Sequence, residues 1–251
     1  MLRSRIIPCL LIHDGGLNKT EKFKPGKYVG DPLNAVKIFN EKQVDELILV
    51  DIDATAKGRA PDFERLRSIA IESRMPLCYG GGVATAEQAA RIISLGFEKV
   101  SVSAAALERP ELIREMASAI GSQSVVVTID VKKGGLFSGD TVFTHNGTRK
   151  HKIGLTDWIE QATALGAGEI VINAIDRDGT MSGYDLDLAR RARAATELPM
   201  TFLGGAGSIA DLEALINAVG VCGAAAGSLF VFKGTFKAVL INYERPSQLV
   251  S

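Results

Sequence analysis

Cysteine is scarce in this chain: there are three, Cys9, Cys78 and Cys222. Their odd number and wide spacing argue against a disulfide framework or a zinc site. Each sits in a strand-like run, so buried thiols are the expectation. An excess of one charge is also missing. Lys+Arg and Asp+Glu both number 29, giving a formal net charge of zero, so no nucleic-acid partner is expected. Long hydrophobic runs are absent as well. The longest extends from Val219 to Phe232, 14 residues interrupted by Gly220, Gly223, Gly227 and Ser228. That is too short to cross a bilayer and predicts a buried strand with its following turn, so no membrane insertion is expected. Arg3 and Arg5 precede only a short apolar run without a small-residue cleavage site, so no signal peptide and a cytoplasmic location are expected. Asn146-Gly147-Thr148 matches a glycosylation acceptor but has no secretory context. Neither a metal nor a cofactor is expected.

What is present is alternation. Eight short, apolar, β-branched runs stand at 5–11, 46–51, 76–80, 99–103, 124–130, 169–173, 199–203 and 221–226. Amphipathic stretches of helical length separate most of them. "DPLNAVKIFNEKQ" carries Leu33, Val36, Ile38 and Phe39 near a 3.6 period. "TAEQAARIISLG" opens with Thr85 and has Gln88 at capping-box spacing, and it closes at Gly96. Eight strand–helix units predict one (β/α)8 barrel domain spanning residues 1–251, with a doubly wound open sheet as the alternative.

The second half echoes the first. At one constant offset, Glu46 falls on Glu169, Pro76 on Pro199, Gly81-Gly82 on Gly204-Gly205, and Ala105 on Ser228. A slightly smaller offset lays "IIPCLLIHDGG" on "VVVTIDVKKGG", so that Leu11 meets Asp130. Two homologous half-barrels fit this repeat and disfavour the open sheet. Two long interruptions, at 13–30 and 132–151, follow strands 1 and 5, and the second carries a predicted hairpin near Val142-Phe143-Thr144. Loops of that length at strand C-termini mark the functional face.

Three constellations carry the chemistry. Glycine clusters end strands 3 and 7 (Gly81, Gly82; Gly204, Gly205). Strands 4 and 8 end in Ser103-Ala104 and Gly227-Ser228. Glycine admits close approach of backbone N–H groups to an anion, so two phosphate sites are expected across the mouth. Tight turns alone are the simpler alternative. Carboxylates form the second set: Asp51, Asp53, Asp130, Asp176 and Asp178 gather at strand C-termini, where acids that are neither paired nor solvated are costly. For Asp53 and Asp176 a turn or capping role is equally open. The third set lies at the other end. Strand parity puts Arg5, Glu46, Lys99 and Glu169 in one inward layer at the barrel base. This is either a polar plug or a gate for a small polar molecule.

"RIIPCL", "ELILVDID", "GGGV", "EKVSVSAAAL", "GSQSVVVTID", "GAGEIVIN", "DRDGT" and "LGGAGS" together resemble the cyclase subunit of imidazole glycerol phosphate synthase, from about Arg5 to Phe232. The resemblance implies a glutaminase partner at the barrel base and an ammonia gate at Arg5, Glu46, Lys99 and Glu169. It implies a phosphorylated ligand, held at Gly81, Gly82, Ser103, Ala104, Gly179, Gly204, Gly205, Gly227 and Ser228. It also places a mobile-loop lysine at Lys19, an assisting aspartate at Asp178 and one general acid/base aspartate at Asp130. The family's first aspartate falls on Leu11, which has no titratable group, so ring closure is expected to be severely impaired. Where the family has Asn-Ser/Thr, this chain has Ser103-Ala104. "PCLLIHDGGL", "DIDAT", "PLCYGGG" and "VINAIDRDGTM" are similar to a branch associated with acetamidino modification of surface sugars. That branch implies ammonia delivery to a third protein, an amidotransferase. Two other readings stay open: a genuine cyclase in which His13 or Asp14 replaces the lost acid, and a non-catalytic phosphosugar-binding activator.

Overall fold

A computed structural model of the chain describes residues 3–134 and 139–246. Gly135, at the end of the second repeat motif, lies outside the described residues. Eight parallel strands form a closed ring: β1 (Arg5–His13), β2 (Leu47–Asp51), β3 (Leu77–Gly80), β4 (Lys99–Val102), β5 (Val125–Lys132), β6 (Glu169–Ala174), β7 (Met200–Leu203) and β8 (Gly223–Ala226). Each pairs with the next, β8 returns to β1, and β5 pairs with β6 to join the halves. All eight predicted runs are strands, and the (β/α)8 barrel is the observed fold. Helices stand between the strands, among them α1 (Pro32–Glu41), α2 (Phe63–Glu72), α3 (Ala86–Ser94), α4 (Glu111–Ile120), α5 (Leu155–Leu165), α6 (Leu186–Ala194) and α7 (Ile209–Val219).

The strands read as continuous apolar runs because both faces are covered. Outward residues such as Leu10, Leu49, Val127 and Ile172 pack under the helices, while Ile7, Cys9, Ile48, Cys78, Val126, Val171 and Ala225 fill the barrel interior as a separate cluster. Each Val, Leu or Ile among them removed from water contributes roughly 1.5–3 kcal/mol. Helix boundaries follow local chemistry. Thr85 and Gln88 form the capping box that starts α3, and Gly166 ends α5 in the left-handed conformation at φ +102°. No described helix is long and apolar enough to cross a membrane.

The long segment 13–30 after β1 carries two short strands of its own: Gly16–Lys19 turns back antiparallel along β1, and Lys27–Gly30 pairs with it in turn. The backbone hydrogen bonds of the β1 extension are satisfied there, beyond the barrel rim. The predicted hairpin after β5 is present as Thr141–Thr144 and Arg149–Gly154. Its tip reaches across the mouth, where Asn146 Nδ2 donates to the Ile52 carbonyl at 2.9 Å. After β8 the chain runs down the outside to the base. Tyr243 packs on Phe230 there and donates its hydroxyl to the Ile6 carbonyl at 3.2 Å.

Candidate active site and the charged base

At the base, parity is confirmed by contact. Lys99 Nζ donates to Glu46 Oε2 at 2.9 Å and to Glu169 Oε2 at 2.8 Å. Arg5 closes the circuit, pairing with Glu46 and with Glu169 Oε1 at 2.7 Å. β1, β4 and β6 each give one charge and Glu46, just before β2, gives the fourth, so the set is neutral. Burial pushes both glutamates up, while Lys99 and Arg5 pull them back. Glu46 ends above the ordinary carboxylate range and Glu169 below it. Thr201 of β7, which the sequence reading missed, donates to Glu169 Oε1 at 2.6 Å. It occupies the inward position of its strand at this level, so parity applied to β7 would have found it.

The mouth holds a cavity of about 360 Å³. Leu11, Val50, Leu203, Asp130 and Asn173 are among the residues lining it. Asp130 accepts a hydrogen bond from Asn173 Nδ2 at 3.0 Å. Burial, against that hydrogen bond and with the Asp178 charge nearby, pushes its carboxyl up to about 7. Such a group gives or takes a proton near neutral pH. Leu11 offers no counterpart. Lys19 and Asp178 are 7% and 5% exposed. They form a buried pair with Nζ 2.9 Å from Oδ1 and 3.1 Å from Oδ2. Lys22 N–H donates to the Asp178 carbonyl at 2.9 Å, so the loop after β1 is closed onto the loop after β6.

The glycines divide by surroundings. Gly81, Gly82, Ser103 and Ala104 line the cavity. Gly81 has φ +116°, and a Cβ there would lie 2.3 Å from the Asp51 carbonyl oxygen. Its counterpart Gly204 has φ +100° and faces the Ala174 carbonyl oxygen at 2.6 Å. Both turns therefore require glycine for local reasons. Gly205 lies against the Gly183 carbonyl, Gly179 against the Thr20 carbonyl, and Gly227 against the Lys19 side chain. The closed loop thus sits against Gly179 and Gly227. Ser103 Oγ and Ser228 Oγ are buried hydroxyls without a hydrogen-bond partner.

Against known proteins, residues 5–237 match the family model described as histidine biosynthesis protein. This chain belongs to that family. Over 248 residues it is 56% identical to a Vibrio vulnificus (strain YJ016) protein provisionally named imidazole glycerol phosphate synthase subunit hisF3, covering 99% of this chain and 95% of that one. It is 51% identical over 249 residues to a similarly named subunit, hisF2, of Pseudomonas aeruginosa, covering 99% of each. It is 39% identical over 230 residues to imidazole glycerol phosphate synthase subunit HisF of Exiguobacterium sibiricum, covering 92% and 91%. The chain is a HisF-like cyclase subunit in type.

In this HisF-like barrel the remaining acids of the mouth are engaged in its walls. Asp51 Oδ1 accepts from the N–H groups of Asp53 and Ala54 at 2.9 and 3.0 Å, and Asp176 accepts from Lys133 N–H at 2.9 Å. Asp53 is buried and bonded to His13 Nδ1 at 2.8 Å, Asp14 N–H at 2.9 Å and Lys57 Nζ at 3.1 Å. Burial alone would raise its carboxyl, but these three bonds outweigh it and hold Asp53 well below the usual range. His13 and Asp14 are therefore committed to a salt-bridged cluster beside the mouth. The nitrogen and carboxylates gathered there have Lys57 and Arg59 as counter-charges, which explains the cluster without a metal. Cys9, Cys78 and Cys222 are buried free thiols, and burial pushes Cys9 up to about 12.

Proposed function

We propose that this barrel is the ammonia-conducting subunit of a glutamine-dependent complex whose product is an amidine on a surface-polysaccharide sugar. In this reading all of residues 1–251 act as one barrel. A glutaminase docks at the base to form a heterodimer, and ammonia passes the ring of Arg5, Glu46, Lys99 and Glu169. It then rises through the interior of Ile7, Cys9 and Cys78, and a third protein, an amidotransferase, uses it on an N-acetyl group. At that acceptor the acetamido oxygen is first activated by phosphoryl or adenylyl transfer from a nucleoside triphosphate on the amidotransferase. Ammonia then forms the new C–N bond, and the C–O bond breaks with the oxygen leaving on the phosphate or nucleotide.

The observation that carries this reading is Leu11 in the mouth cavity above a complete base ring. The parts needed to admit ammonia are assembled, while the acid/base pair needed to close an imidazole ring is reduced to Asp130. The partnerless hydroxyls of Ser103 and Ser228 at the two strand ends favour a phosphorylated ligand there. Gly81, Gly82, Ala104, Gly179, Gly204, Gly205 and Gly227 would frame it once the β1 loop moves. Reconstitution with a glutaminase and an amidotransferase tests the reading. Glutamine-dependent amidine product that requires this barrel is expected; product formation indifferent to the barrel overturns it.

Genuine cyclisation in histidine biosynthesis is favoured by one observation, the retention of Lys19, Asp130 and Asp178 in place around the mouth. It requires a replacement for the first acid, and the engagement of His13 and Asp14 with Asp53 and Lys57 stands against either serving. Turnover of the bisphosphorylated ring-closure substrate with free ammonia, abolished by Asp130→Asn, would support it. Activation of the partner without any chemistry would instead leave glutaminase stimulation intact when Asp130 and Asp178 are both replaced.

A further inference from the structure

Above the base ring, a line of polar side chains climbs one side of the barrel interior. Lys99 of the base ring begins β4, and two residues on, Ser101 turns inward and shares a 2.6 Å hydrogen bond with Thr128 of β5. Two residues further along β5 stands Asp130, in register with Asn173 of β6. Asn173 is 6% exposed and lines the mouth cavity. Its Nδ2 is used on Asp130, and its Oδ1 is buried without a partner. Leu11 and Val50 across the mouth, and Leu203 beside Asn173, offer no hydrogen-bonding atom.

An enclosed carbonyl without a donor costs about 1–3 kcal/mol, which calls for a guest. The stripe is rich in acceptors: a carboxylate, an amide carbonyl and the spare lone pairs of two hydroxyls already bonded to each other. A guest that donates in several directions and accepts in none is complementary to it. The apolar wall opposite offers no competing acceptor.

We propose that Asp130 and Asn173, with Thr128 beneath, form a seat for ammonium. The inference rests on the reading of the barrel as an ammonia conduit and adds a stopping point to it. Neutral ammonia reaching the seat takes the proton of the Asp130 carboxyl, forming an N–H bond as the O–H bond breaks. Ammonium is then held between the carboxylate and Asn173 Oδ1. On release the proton returns to Asp130, and ammonia leaves with its lone pair free to attack. Asn173 acts here as a positioning residue for the carboxyl and as an acceptor for the guest. Charged groups near the seat are Asp178 and Lys19, which neutralise each other as a pair.

The test uses the full chain in solution. Titration with ammonium chloride, followed by NMR of the Asn173 side-chain amide and the Asp130 carboxyl carbon, is expected to give saturable shifts at both. Potassium chloride at equal ionic strength has the charge without the N–H donors and is expected to give neither. Asn173→Leu should weaken the Asp130 response by about tenfold or more. Asp130→Asn, which keeps the shape, should abolish saturation at Asn173 and serves also if Asn173→Leu does not fold. Absence of saturation in the native chain, an equal response to potassium, or an unchanged response in both variants overturns the seat. The conduit reading is judged separately, by glutamine-dependent product with and without Arg5→Met in the complex. Ammonium binding without a conduit effect leaves the seat and removes the conduit; the reverse removes the seat alone.

Discussion

Arg5 of β1 and Glu169 of β6, far apart in sequence, meet at 2.7 Å in the base ring. Because each member of the ring holds two others, losing one leaves its partners uncompensated. Breaking a fully enclosed pair costs ~3–5 kcal/mol. Arg5 keeps part of its side chain in water, so Arg5→Met is expected to cost less, about 2 kcal/mol. The double variant Arg5→Met/Glu169→Gln should cost less than the sum of the two single changes, since the shared interaction is lost only once. Urea unfolding of the three variants measures both quantities.

Asp130 makes stability depend on pH in a definite direction. Its carboxyl titrates near 7 in the folded chain and near 3.8 when released from burial. Between those values the folded state holds a proton that the unfolded state has lost. Stability from this group is therefore full below about pH 4 and declines as pH rises through 7. Asp130→Asn is expected to flatten that decline and to be more stable than the native chain at pH 8. Denaturation midpoints at pH 5 and pH 8 check it, and a steeper decline in the variant would contradict it.

Asp53 acts in the opposite sense. Held well below the usual carboxylate range by Asp14 N–H, His13 and Lys57 despite its burial, it contributes stability above the ordinary aspartate value. That contribution is lost as pH falls below about 4. Asp53→Asn should lower stability at pH 7 by about 1–3 kcal/mol, the cost of unmade buried hydrogen bonds. It should also soften the acid limb of the unfolding curve, read by circular dichroism between pH 6 and pH 2.

Lys19 and Asp178 pin the loop after β1 in its closed position. Lys19→Met leaves Asp178 buried without its cation, and Thr20 Oγ1 at 3.2 Å is a poor substitute. The loop is expected to open, and trypsin should cut after Lys22 several-fold faster than in the native chain, Lys24 being protected by the following Pro25. Mass spectrometry of early fragments checks this. Unchanged cleavage would mean that the Lys22 N–H bond to Asp178 suffices to hold the loop.

Leu11→Asp tests how much of a ring-closing site survives. General acid–base catalysis contributes ~10²–10⁴, and a gain of that order in ammonia-dependent ring closure is expected. The new carboxyl enters the apolar wall across the mouth from Asp130, where burial will push it above the ordinary aspartate value. A lower urea midpoint at pH 8 than at pH 5 should accompany the gain. Absence of any gain would show that the mouth departs further from the family than this one position, as Ser103-Ala104 also does.

Much of this was written in the chain itself. Alternating runs, a half-length repeat and glycine-ended helices specify an eight-stranded barrel, because few other arrangements bury both faces of every strand. Inward parity placed Arg5, Glu46, Lys99 and Glu169 in one layer, since side-chain alternation is a local property of a strand. The chemistry of Leu11 needs no structure either: a leucine cannot exchange a proton. Tertiary structure decided the rest. Parity points Thr201 inward, but its bond to Glu169 follows from the register of β7 against β6. Asp53 and Asp130 are both aspartates at strand ends, yet one is driven below its usual range and the other above it. Three hydrogen-bond donors converge on Asp53, whereas Asp130 lies in a cavity with one. The sequence names the groups, but it is the distance between strands remote in the chain that determines which of them meet and what each can then do.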